Sequence, residues 1–266
     1  MIMKIGFIGS GNMGGAIIGG IVSSGLAPGG NIIVSDKNDS TLKRIHDRYS
    51  AEVTTDNKAA AEKADILFLC VKPNVIAEVM KEINSFVKQS TTVVSIAAGI
   101  SLAKLEEGLG NDKKIVRVMP NTPALVGEAM SAVCANKPGA EGLKEVTEIL
   151  ESFGKCEVVS EGLMDTVTAV SGSSPAYVFM MIEAMADAAV QGGMTRESAY
   201  KFAAQAVLGS AKMVLETGKH PGELKDMVCS PKGTTIDAVA KLEELGFRSS
   251  IIEAMAVCRD KSSSMA

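Results

Sequence analysis

Short apolar runs alternate with stretches of helical periodicity through the first half of the chain. Lys4-Ile5-Gly6-Phe7-Ile8 reads as a first strand, and Met13 to Ser24 as a helix ending near Gly25. Asn31-Ile32-Ile33-Val34-Ser35 is strand two, Thr41 to Tyr49 a helix, Glu52-Val53-Thr54 a short strand three, and Ala59 to Lys63 a short helix. Asp65 to Val71 is a buried strand four, Asn74 to Phe86 a helix, Thr92 to Ile96 strand five, Leu102 to Leu109 a helix, and Lys114 to Met119 strand six. Unbroken apolar strands separated by helices predict a mostly parallel sheet covered on both faces. Lys144 to Phe153 follows as a helix, with Glu157-Val158-Val159 as a last strand.

Beyond about Glu161 the strand signal disappears. Met164, Val167, Val170, Val178, Met181, Ile182 and Met185 recur at helical spacing, so Leu163 to Val190 is predicted helical and stops at Gly192-Gly193. Thr195 is placed to cap a helix running to about Glu216, and Pro221 to open a short one at its first turn. Thr234 to Leu245 and Ser249 to Arg259 complete the set, and Ser262 to Ala266 reads as a frayed polar tail. The expected organisation is an α/β Rossmann-type N-terminal domain over 1–160 and an all-α domain over 161–266. Its Ala-, Gly- and Met-rich helices suit close packing against a second copy, so a homodimer is expected.

Composition narrows the function. The net charge of −4 and the lack of basic runs argue against nucleic acid as a partner. No apolar run approaches the ~20 residues of a membrane span. The start, Met1 to Ile5, lacks the longer apolar core and cleavage site of a signal peptide. Five scattered cysteines without a C-x-x-C predict reduced thiols in a cytoplasmic protein. With two histidines, His46 and His220, neither a His-based metal site nor a Ser-His-Asp relay is expected.

Gly9-Ser10-Gly11-Asn12-Met13-Gly14 is a G-x-G-x-x-G that follows a strand and opens a helix, and Asp36 ends the next strand. That context predicts dinucleotide binding: Gly9 for the tight turn, Gly11 for backbone approach to the pyrophosphate, Gly14 for helix–strand contact. Asp36 favours NAD through the ribose hydroxyls, whereas Lys37 with Ser35 and Asn38 could hold a 2′-phosphate. Val71-Lys72-Pro73, Ala97-Ala98-Gly99 and Pro120-Asn121-Thr122-Pro123 follow strands four, five and six, where ligands of doubly wound sheets sit. In the helical half, Ser171 to Tyr177 brings glycine and proline close enough to break a helix. Ser230 to Thr235 precedes a helix start whose N–H groups at Gly233, Thr234 and Thr235 would bind a carboxylate; a simple helix cap explains the threonines equally well.

Taken in order, G-S-G-N-M-G, V-K-P, A-A-G-I, M-P-N-T-P-A-L-V-G-E, S-G-S-S-P-A-Y, H-P-G-E-L-K-D, S-P-K-G-T-T and G-F-R-S resemble the pyrroline-5-carboxylate reductase family along the whole chain. The resemblance implies hydride transfer from NADPH, or else NADH, to the cyclic imine 1-pyrroline-5-carboxylate, giving L-proline in the last step of its biosynthesis. It implies a Rossmann domain and a helical dimerisation domain, with dimers often built into larger assemblies. It assigns cofactor contacts to Gly9, Ser10, Gly11, Asn12, Met13, Gly14, Ser35, Asn57, Cys70, Val71, Lys72, Pro73, Ile96, Ala97 and Ala98, with Asp36 and Lys37 beside them. Substrate contacts fall on Glu161, Thr234 and Thr235, with Ser173 and Ser174 nearby, and Thr235 bonds the ring nitrogen. The chain departs from the pattern at Met227, where some relatives have Asn, and at Ala129, Ser174 and Lys232, where glycine is common.

This chemistry needs no histidine, lysine or metal. A protonated imine is already electrophilic, so positioning carries most of the work. Two other readings stay open. A hydroxyacid dehydrogenase of related architecture would place a catalytic lysine on a long helix, and 178–190 has none. A cofactor-binding sensor would bind nicotinamide without turnover.

Overall fold

Eight strands form one sheet in the computed structural model, which describes residues 3–265. Met1 and Ile2 of the expected leaderless start, and Ala266 of the expected tail, lie outside the described residues. The strands are β1 (Ile5–Ile8), β2 (Ile32–Ser35), β3 (Glu52–Thr54), β4 (Ile66–Leu69), β5 (Thr92–Ser95), β6 (Lys114–Met119), β7 (Ala129–Ala135) and β8 (Gly154–Val158). Their order is β3-β2-β1-β4-β5-β6-β7-β8. Every neighbouring pair is parallel except β6 with β7, where Val118 stands opposite Val133. The order reverses between β1 and β4, and the crevice at such a switch point is where open α/β sheets bind ligands.

The central strands are apolar on both faces because helices cover both. α1 (Asn12–Ser23), α2 (Asp39–Tyr49) and α6 (Leu143–Glu151) bury Ile17, Ile21, Leu42, Ile45, Val146 and Ile149 on one side. α3 (Asn57–Lys63), α4 (Pro73–Ile83) and α5 (Leu102–Leu109) cover the other. Phe7 and Phe68, side by side on β1 and β4, stack at 5.0 Å between ring centroids. Local capping matches composition: Asn38 accepts from the Ser40 and Thr41 N–H groups, Asp56 from Lys58, and Ser101 from Lys104.

Two compact units divide the chain. The first runs to Ser173 and resumes at Cys258; the second is Ser174–Val257. The first holds the sheet, a short α7 (Met164–Val167) and a π-helical turn over Thr168–Gly172. The second holds α8 (Ser174–Gln191), α9 (Arg196–Thr217), α10 (Pro221–Val228), α11 (Thr234–Glu244) and most of α12 (Phe247–Ser263). Thr195 caps α9 and Pro221 opens α10, as the sequence predicts.

Three elements differ from expectation. Residues 129–135, which the sequence reading assigns to no element, form β7, whose pairing with β6 is antiparallel. The helical reading of 163–190 is interrupted by the π turn, in which the Ser173 N–H reaches back five residues to the Thr168 carbonyl at 2.8 Å. The polar tail is helical through Ser263, because Asp165 accepts from the Ser262 and Ser263 hydroxyls at 2.7 and 2.8 Å.

Candidate cofactor and substrate site

The glycine loop after β1 is built by three different demands. Gly9 has φ +91°, and a side chain there would meet the Cys70 carbonyl at 2.6 Å. Gly14 would drive a Cβ to 2.6 Å from the Gly9 carbonyl, so it lets α1 close on the strand. Gly11 is different: a Cβ there would meet nothing within 4 Å. The chain itself does not need glycine at 11, and open space at an uncapped helix start is what a dinucleotide diphosphate requires. No acidic residue occupies the first turn of α1, where Asn12 is exposed and Met13 half-buried.

Asp36, just past β2, is tied back to this loop. One of its carboxylate oxygens accepts from the Ser10 N–H at 2.7 Å and the Ser10 hydroxyl at 2.8 Å. The other accepts from the Asn38 N–H at 3.0 Å. Lys37 beside it is exposed. Ser35 is fully buried and donates to Asn57 Oδ1 at 2.7 Å, while Asn57 Nδ2 donates to Glu82 on α4 at 2.8 Å. Glu82 was not singled out by sequence reasoning; nothing local marks a glutamate 25 residues from its partner.

The Cys70 N–H pairs with the Ile8 carbonyl at 2.8 Å, which sets the 70–73 segment beside the glycine loop. Burial pushes the Cys70 thiol well up, so it is an inert wall rather than a nucleophile. Val71 is half-buried, Lys72 is exposed, and Pro73 opens α4. Ile96 donates its N–H to the Leu69 carbonyl at 3.3 Å; Ala97 is buried and Ala98 half-buried. One crevice edge therefore gathers Gly9 to Gly14, Asp36, Cys70 to Pro73 and Ile96 to Ala98.

Glu161 is engaged within the first unit. Its Oε1 accepts from the Leu102 N–H at the start of α5 at 2.6 Å and from Arg117 Nη1 at 3.1 Å. Arg117, on β6, is buried and was missed by sequence reasoning. Ser173 ends the π turn, and its hydroxyl accepts from the Cys258 thiol at 3.2 Å. Ser174 starts α8 in the second unit.

The second unit carries Gly233, Thr234 and Thr235. Pro231 and Lys232 form the middle of a turn closed by the Gly233 N–H on the Ser230 carbonyl at 3.0 Å. Lys232 has φ +60°, so Pro–Lys fits a type II turn whose third position favours glycine. The Gly233 N–H is therefore occupied, which corrects the expectation that it is free for an anion. The exposed groups of the α11 start are the N–H groups of its first turn, from Thr234 on, because Gly233 gives no side-chain cap. Thr234 is exposed and Thr235 half-buried, and neither hydroxyl is hydrogen-bonded among the described residues.

Two family models match separate stretches of the chain. Residues 161–265 match the family model described as pyrroline-5-carboxylate reductase dimerisation, and residues 4–99 match NADP oxidoreductase, coenzyme F420-dependent. The chain is 54% identical over 263 residues to pyrroline-5-carboxylate reductase of Escherichia coli, covering 98% of each. It is 45% identical to that of Methanosarcina acetivorans, covering 97% of this chain and 96% of the relative. The crystal structure of Plasmodium falciparum pyrroline carboxylate reductase with NADP bound superposes with a TM-score of 0.91 at 33% identity, covering 99% of this chain and 98% of that one. The chain belongs to the pyrroline-5-carboxylate reductase family.

Proposed function

We propose that this protein reduces 1-pyrroline-5-carboxylate to L-proline with NADPH, the closing step of proline synthesis. The observation that carries the cofactor half is Gly11: open space at an uncapped helix start, beside an acidic residue already held by three donors. Those donors offset the Asp36 charge, and exposed Lys37 adds a cation for a 2′-phosphate, which supports NADPH over NADH. The NADP in the Plasmodium relative points the same way.

Bound there, the reduced nicotinamide supplies the hydride. The chain supplies position and charge. The first-turn N–H groups of α11 hold the substrate carboxylate, and the free Thr235 hydroxyl hydrogen-bonds the ring nitrogen. Ser173, Ser174 and Glu161 complete the substrate contacts. No strong acid is needed, because the protonated imine is already electrophilic.

The active form is a homodimer joined through the second unit. Among the described residues only Ala186, Ala199, Ala203 and Leu224 of that unit are buried, while Met180 and Phe202 are each 68% exposed and Leu215 is 83% exposed. A helical unit with so thin a core calls for a second copy, and the match to a dimerisation model agrees. Five unpaired thiols suit a reducing, cytoplasmic setting. Among the described residues no helix is long and apolar enough to cross a membrane.

The test mixes the protein with 1-pyrroline-5-carboxylate and each reduced nicotinamide and follows loss of reduced-cofactor absorbance. Consumption with NADPH that depends on the imine supports the reading; none with either cofactor rejects it. Thr235→Ala should lower turnover at unchanged melting temperature, and full activity in that variant removes the role given to Thr235.

A further inference from the structure

An α-helical turn pairs each carbonyl with the N–H four residues on. For Ser171 that residue is Pro175, which has no N–H. A side chain supplies a donor instead: Asn121 Nδ2 donates to the Ser171 carbonyl at 3.1 Å. Asn121 lies two residues past β6, and its Oδ1 accepts from the Met130 N–H, on β7, at 3.0 Å. A main-chain N–H on one side and a carbonyl on the other leave the amide one orientation. Only 8% of Asn121 is exposed, so water does not compete for these bonds. The turn is seated against the same strand end, since a Cβ on Gly172 would come within 2.5 Å of the Met119 methyl.

We infer that Asn121 is a positioning residue: it replaces the hydrogen bond removed by Pro175 and so fixes the π turn, with Ser173 at its end, against the carboxyl end of β6 and the amino end of β7. This rests on the proposed reading of Ser173 as a substrate contact. The device explains why glycine and proline can stand together here. Their break frees a carbonyl, and a buried amide from the cofactor-binding sheet captures it. Substrate geometry is thereby tied to the sheet rather than left to a flexible helix junction.

Asn121→Ala removes the donor, and Asn121→Asp replaces it with a carboxylate facing a carbonyl. The full-length protein is assayed for imine KM, for NADPH affinity by calorimetry, and for amide exchange in 168–174. With the Ser171 carbonyl left without its Asn121 donor, the imine KM should rise about tenfold or more in both variants, with NADPH affinity within about twofold. Exchange in 168–174 should quicken by a similar factor. Pro175→Ala restores a main-chain N–H, so Asn121→Ala/Pro175→Ala should recover at least about a third of the lost affinity for the imine. Wild-type KM and wild-type exchange in Asn121→Ala overturn the inference, as does parallel loss of NADPH and imine binding. If Asn121→Ala does not fold, the double variant carries the test, and it must fold where the single one does not. An inactive wild-type protein would sink the proposed reaction, while the exchange measurement would still decide whether Asn121 holds the turn.

Discussion

Gly11→Ala separates binding from folding at the glycine loop. At Gly11 the backbone is extended, with φ −62°, and an added methyl group meets nothing within 4 Å. The free protein should therefore change in stability by less than about 1 kcal/mol. A bound diphosphate would meet that methyl group directly, because close backbone approach is the reason for glycine at this position. A tenfold loss of NADPH affinity, about 1.4 kcal/mol, is the minimum expected. In a thermal melt at about 100 times the wild-type Kd, NADPH stabilises the wild-type protein by about 2.7 kcal/mol. A variant bound tenfold more weakly keeps about 1.4 kcal/mol. At roughly 2–4 °C per kcal/mol, the NADPH-induced shift falls from about 5–10 °C to about 3–6 °C or less. Gly14→Ala is the contrast: its Cβ would lie 2.6 Å from the Gly9 carbonyl and 3.2 Å from Cys70, so it should destabilise the free protein by about 1–3 kcal/mol. An undiminished shift in Gly11→Ala, or equal loss of stability in both variants, would refute the division of labour among these glycines.

Lys232→Gly removes a side chain from a left-handed turn position and should raise stability by about 0.5–1 kcal/mol in a urea melt; a lower midpoint would argue against the type II turn. Arg117→Leu leaves Glu161 with only the Leu102 N–H. Because the Glu161 side chain is 35% exposed, the expected loss is about 2–3 kcal/mol rather than the larger values of fully buried pairs, and Arg117→Leu/Glu161→Leu should recover part of it. Burial first, and then the Glu161 charge, push the Cys134 thiol from about 9 up to about 11 against a smaller opposing pull from Arg117. This thiol is protonated in the folded protein, so its contribution to stability is intact below about pH 9 and is lost as pH climbs toward about 11. Alkylation of Cys134 should accelerate over the same interval, and a plateau already reached at pH 9 would contradict the burial argument.

The sequence announces what is local or periodic. β1, β2, β4, β5 and β6 are apolar on both faces and stand out as runs. β7 does not, because Ala129, Ser131, Ala132 and Cys134 are small and carry little contrast between faces, although most of the strand is buried. The glycine loop was legible because Gly9 and Gly14 answer local backbone demands and the G-x-G-x-x-G spacing, Gly11 included, stands between a strand and a helix. Asp36, Val71 to Pro73 and Ala97-Ala98 could be placed because the ends of parallel strands converge on one edge, whereas Cys70 and Ile96 came only from the family resemblance. The residues that hold these parts in position were not legible. Glu82, Arg117 and Asp165 act through partners 25, 44 and 97 residues away, distances at which no spacing rule operates.

Asn121 shows how such a residue can nonetheless be found. A proline inside a helical pattern always deprives a carbonyl four residues earlier of its usual donor. When that carbonyl is buried, leaving it unpaired costs about 1–3 kcal/mol, so folded proteins supply a substitute. The substitute must be a donor, and its other polar atoms must be satisfied as well. Among residues at the mouth of a sheet, a buried amide meets both conditions, and Asn121 lies in the very segment that the order of strands had put at the crevice. The same accounting explains the serine-rich end of the chain. Ser262 and Ser263 look like a solvated tail until the Asp165 carboxylate, half-buried at the start of α7, is asked where its hydrogen bonds come from. In both cases an obligation left open in one element is met by a polar side chain from another, and that exchange fixes the two elements against each other.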